Sequence, residues 1–113
     1  MAVPGINELL VPFLEAIKDG QPHTRAAIKE ALAAHFKLTE KDLQQRQGNN
    51  TLVIVNHMAW CDVHLCDAGF AAKTENRKDH QLDTFTITER GLYELTHNRD
   101  KIRVSYLNQF KKP

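Results

Sequence analysis

Between His57 and Cys66 the chain reads HMAWCDVHLC, which puts two histidines and two cysteines within ten residues. Imidazole nitrogen and thiolate sulfur are the usual ligands of zinc, so the first chemistry to test is metal binding. At about 100° per residue on a helix, His57, Cys61 and His64 fall within roughly 60° of one another, while Cys66 points to the other side. A structural zinc site is four-coordinate and draws ligands from more than one element, because one helix face cannot surround an ion tetrahedrally. His35, His80 and His97 are isolated in the chain and no CxxC pair is present, so no fourth ligand is evident. Cys61 also fits a core stripe, since free cysteine behaves as a small buried hydrophobe. The expectation is no metal and no cofactor.

On the opposite side of the same helix lie Asn56, Trp60, Val63 and Asp67, with His57 and His64 at the border. Asparagine, histidine and tryptophan on an exposed helix face can contact bases or sugars in a DNA groove. The plainer expectation for Trp60 is a largely buried ring lying over a crevice between helices. Asp67 would repel phosphate, which places any contact on the N-terminal half of the helix. Elsewhere the chain shows no nucleophile and base pair, no glycine-rich phosphate loop and no dinucleotide fingerprint.

These residues must be held by something of modest size. The 113 residues suit a single domain with a real core, and 42% hydrophobic against 26% charged residues is the balance of a soluble globular protein. Apolar runs such as LLVPFL and TLVIV are far too short to span a bilayer, and no secretory signal precedes the first amphipathic segment. Two cysteines five apart on one helix argue against a disulfide framework and for a reducing cytoplasm. A net charge of +1 lacks the electrostatic footprint of a strong non-specific nucleic-acid binder. Charge is nevertheless uneven. Residues 1–34 carry three lysines and arginines against four acids, and the stretch from Gln81 onward carries six against four.

Ile6, Leu9, Leu10, Phe13, Leu14 and Ile17 recur at helical spacing and predict a first helix ending at KDGQP. Thr24 caps a second, with Ala27, Ile28, Ala31, Leu32 and Phe36 as its apolar face. Thr39 with Asp42 forms a loose capping box for a short third helix that breaks at Gly48-Asn49-Asn50. From Thr51 a long helix runs to Gly69, its natural C-cap, with Ile54, Met58, Cys61, Leu65 and Ala68 as the core stripe. FAAKT and LDTFTIT then predict two strands joined by the polar run ENRKDHQ. Thr88 caps a last helix with Leu92 and Leu95 inward. Within KIRVSYLNQF, Ile102, Val104 and Tyr106 alternate with polar residues, which fits either a strand that pairs with a second copy or a segment leading into a linker. This order predicts an α+β, mainly helical, winged helix-turn-helix domain over residues 1–97, with 98–113 as an extension or linker. In such domains the long helix is presented to the major groove and the hairpin tip touches the backbone beside it.

VNHMAWCDVHLCDAGF followed by FTITERGLYEL resembles the N-terminal domain of Mrr-type restriction endonucleases, over about residues 3–96. That domain places an asparagine-arginine pair before a tryptophan, then a leucine, Ala-Gly-Leu, a hairpin and a Thr-x-x-Gly helix start. Asn56, Trp60, Leu65, Ala68, Gly69, Thr88 and Gly91 occupy those places. His57 stands where the family has arginine, which removes a permanent cation, and Phe70 replaces a leucine. The resemblance implies a winged helix that recognises double-stranded DNA, often modified DNA, and is joined to a separate nuclease domain. Gln109-Phe110-Lys111 mimics the Gln-x-Lys of such nucleases, but those groups need adjacent strands of a sizeable sheet, so no catalysis is expected of this chain.

The groove contacts expected on this reading are Asn50, Thr51, Asn56 and His57, with Trp60 at the edge. Lys41, Gln44 and Arg46 are expected on one phosphate strand, and Lys73, Arg77, Lys78 and His80, from the wing, on the other. Two other readings use the same fold. One is a protein-docking or homodimeric module, for which near-neutral charge is natural; the other is a small transcriptional regulator.

Overall fold

In the computed structural model, residues 3–46, 52–79 and 82–111 are described, so Asn50, Thr51 and His80 lie outside them. Helix α1 (Ile6–Ala16) buries Leu9, Leu10, Phe13 and Leu14, the predicted stripe. After it comes β1 (His23–Thr24), then α2 (Arg25–His35), whose first turn is closed by the Thr24 hydroxyl accepting from the Ala27 amide. Ile28 and Leu32 face the core, whereas Ala27 and Ala31, predicted inward, are exposed. The buried face of α2 is narrower than its apolar content.

Helix α3 (Glu40–Leu43) carries the full reciprocal capping box. Thr39 Oγ1 accepts from the Asp42 amide and Asp42 accepts from the Thr39 amide. Helix α4 (Val53–Asp67) turns Ile54, Met58, Cys61 and Leu65 inward, all at most 2% exposed. Both α2 and α4 end in the same backbone motif. Lys37 and Gly69 take positive φ (54° and 79°), and the amide after each reaches back to close the last turn, Leu38 to Ala33 and Phe70 to Leu65, both at 2.9 Å.

Beyond Gly69, β2 (Ala71–Thr74) and β3 (Thr84–Ile87) pair antiparallel, with Ala71 opposite Ile87 and Thr74 opposite Thr84. The two-residue β1 pairs with the other edge of β3, giving the order β1-β3-β2. That third strand is absent from the sequence-based expectation, which has a two-stranded hairpin. Helix α5 (Glu89–His97) follows, and here Leu92 is a correction: it is 44% exposed, while Gly91, Glu94 and Leu95 are buried. The side of α5 that packs is set by the close approach of Gly91 to the Phe70 backbone, which turns Leu92 outward.

The expected alternation over residues 102–106 is replaced by a 3-10 turn (Arg99–Lys101), helix α6 (Val104–Leu107) and a second 3-10 turn (Asn108–Phe110). Ile102 and Leu107 are buried in the main core, and the Phe110 ring meets Phe70 and Tyr106 edge-on. The result is an α+β, mainly helical, winged-helix-like fold.

Candidate nucleic-acid interface

Trp60 stands two residues from Met58 and so about 200° around α4 from the core stripe. It is 49% exposed, which corrects the expectation of a buried ring, and Val63 beside it is 41% exposed. The Trp60 ring lies tilted against that of His64, with centroids 6.1 Å apart. Asn56 is half-buried and Asp67 exposed on the same side of the helix.

His57, expected to face a groove, spends one ring nitrogen internally. Its Nδ1 donates to the Pro4 carbonyl at 2.8 Å and ties α4 to the residues before α1, leaving only Nε2 for any ligand. His64 is engaged differently, accepting at Nδ1 from the Lys111 ammonium at 2.6 Å. Burial, and after it the Lys111 charge, hold the His64 pKa below its ordinary value of 6.5, against the pull of Asp67. Cys61 is fully buried with its thiol 3.5 Å from the Ile6 carbonyl. Burial, with Asp62 adding to it, pushes that thiol up to about 12, and burial likewise pushes Cys66 up to about 11. The three side chains that share a helical face thus bind three different partners. Among the described residues no group of three or more histidine, cysteine or acidic side chains gathers to hold a metal ion.

The expected phosphate contacts sit on two elements. Lys41 and Gln44, in and just after α3, are exposed, as is Arg46, whose backbone bridges to Leu52 across the connection into α4. On the wing, Lys73 leaves β2 with Glu75 3.8 Å away, and Arg77 and Lys78 are exposed in the bend that follows. Asn76 shapes that bend, its side-chain oxygen accepting from the amides of Lys78 and Asp79 at 3.0 and 3.1 Å. Side chain to backbone bonds of this kind let a short polar loop hold a turn without apolar contacts.

Sequence reasoning missed a buried polar cluster around Arg25. The Arg25 guanidinium, 16% exposed, donates to Asp62 at 2.6 Å and to Asp83 at 3.3 Å, and it lies over the Phe85 ring at 5.1 Å from the centroid. One signal was available: Asp62 stands four residues after Met58 and three before Leu65, inside the span of the core stripe. A carboxylate there calls for a partner, either a cation or a hydrogen-bond donor, brought in from another element.

A long helix with Asn56, Trp60, Val63 and Asp67 on its outer side, followed at once by a hairpin with a charged tip that belongs to a three-stranded sheet, defines a winged-helix-like module. More particularly, the chain belongs to the Mrr N-terminal domain family, whose model matches residues 7–97. Comparison with curated proteins gave no significant match, and neither did comparison with solved structures.

Proposed function

We propose that this chain is the DNA-recognition module of a restriction system, with the outer side of α4 in the major groove of double-stranded DNA and the wing on the adjacent backbone. The observation that carries the reading is the wing tip, where Arg77 and Lys78 are held out by an Asn76-centred turn rather than folded into the domain. Family membership supports it, and recognition of modified bases is the form of it that the family resemblance favours. In this reading the module has no catalysis of its own, works in the cytoplasm, and delivers its target to a nuclease domain supplied elsewhere. The near-neutral net charge implies that affinity depends on fit and base contact more than on bulk attraction.

A titration against methylated and unmodified duplexes at two salt concentrations tests this. Replacing Arg77 and Lys78 together by alanine should weaken binding to all sequences alike and lower the salt slope by up to about two units, with the melting temperature unchanged. A double variant that binds as tightly as the parent at low salt, or a parent that binds no duplex, would sink the proposal. The exposed pair Trp60 and Val63 favours a second reading in that case, a docking face for a protein partner or a second copy, which sedimentation of the free chain would reveal.

A further inference from the structure

Arg25 opens α2 directly after β1, and three of its groups reach across the molecule. Its backbone amide donates to the Asp83 carbonyl at 3.1 Å, Nη1 donates to Asp62 Oδ2 on α4 at 2.6 Å, and Nη2 donates to Asp83 Oδ2 at 3.3 Å. Asp83 stands just before β3 with a side chain 2% exposed, and its other oxygen, Oδ1, accepts from the Asn76 amide at 2.7 Å. Asn76 in turn holds the amides of Lys78 and Asp79. A continuous run of hydrogen bonds therefore links a carboxylate in the middle of α4 to the turn that carries Arg77 and Lys78 on the wing.

Two four-residue strands do not by themselves fix a hairpin tip, because an isolated hairpin is marginal in water. Guanidinium is suited to the linking role, since its planar fork can bond two carboxylates at once in fixed geometry, which an ammonium cannot. We infer that Arg25 is a positioning residue that sets the wing tip relative to α4, so that Arg77 and Lys78 meet a backbone in register with the helix. This inference rests on the DNA reading for its purpose but not for its geometry.

The test separates the two. In the 113-residue chain, amide hydrogen exchange at Lys78 and Asp79 is compared between the parent, Asp62→Asn and Arg25→Lys. Asp62 is on α4, away from the wing, and lysine at 25 keeps the charge while losing the fork. The wing amides should exchange about three- to tenfold faster in both variants, with protection at Phe13 and Leu65 unchanged. A general loss of stability would instead raise exchange everywhere. Wing amides that exchange at the parent rate in a folded Arg25→Lys chain overturn the inference, as does a rise that is uniform over the core; if Asp62→Asn does not fold, Arg25→Lys alone decides. On duplex, alanine at Arg77 and Lys78 should cost less than about one unit of salt slope in the Arg25→Lys background, against up to about two in the parent. An undiminished cost there also overturns it. If the parent binds no duplex, the DNA reading fails and the amide exchange judges the positioning role on its own.

Discussion

His57, Cys61 and His64 share a side of α4, yet one reaches Pro4, one Ile6 and one Lys111. Periodicity read from the sequence gives the side of a helix but not the partner, and two of these partners are backbone carbonyls of a segment some fifty residues earlier. The core stripe was legible because burial follows spacing alone; Leu65 is fully buried. Leu65→Ala should therefore cost roughly 2–5 kcal/mol in urea unfolding, and a cost below about 0.5 kcal/mol would mean that the stripe has been put on the wrong face. His64 gives a pH prediction. Its folded pKa lies below the unfolded value of 6.5, so the unfolded chain takes up the proton first as pH falls. The contribution is fully present above about 6.5 and is lost as pH drops through the folded pKa, when a protonated ring can no longer accept from Lys111. Melting temperature should fall between about pH 7 and 5, and His64→Gln, which keeps an acceptor, should show a smaller fall. Equal slopes for the two proteins would remove His64 from the account.

At the scale of elements, the ends of the helices were the most readable features, because capping is local chemistry. Thr24, Thr39 and Thr88 all accept the amide bonds their positions require. The two-residue β1 was not readable, since it exists only through pairing with β3 some sixty residues on, and no alternation fits in two positions. The junction of β3 and α5 explains why the resemblance rests on Ala68, Gly69, Thr88 and Gly91. Thr88 Oγ1 donates to the Gly69 carbonyl at 2.6 Å and accepts from the Gly91 amide at 3.0 Å, while Arg90 donates to the Ala68 carbonyl at 2.9 Å. Gly91 then approaches Phe70 so closely that a Cβ would stand 2.0 Å from its carbonyl oxygen. Backbone cannot yield there without moving β2 away from α5. Gly91→Ala should destabilise the domain by about 3 kcal/mol or more, at the upper end of overpacking, although alanine is the better helix former. A variant as stable as the parent would show that the approach is not as close as described.

For the whole molecule, the family match ends at residue 97, but the packed unit does not. Ile102 is 5% exposed and Leu107 fully buried, Phe110 covers Phe70, and the Val104 amide donates to Asn7 Oδ1 at 2.8 Å, back at the start of α1. The sequence hid this because the alternation of Ile102, Val104 and Tyr106 imitates a strand, whereas the turns that use them are set by contacts with distant elements. Tyr106 makes the consequence sharpest, since its hydroxyl donates to Glu94, a residue 7% exposed on α5 that also accepts from Asn98 at 3.1 Å. The bond to Glu94, with burial, raises the tyrosine pKa above its ordinary value. Cutting the chain after His97 removes both donors and uncovers a buried carboxylate, together with Phe70. Lost burial of Ile102 and Leu107 alone is worth roughly 3–6 kcal/mol, a large share of the 5–15 kcal/mol that holds a typical domain. A fragment of residues 1–97 should accordingly melt far below the full chain or fail to fold, and Leu107→Ala in the full chain should lower stability by about 2–5 kcal/mol. Calorimetry of the fragment decides it: melting within a few degrees of the full chain would make residues 98–111 a passenger on the core.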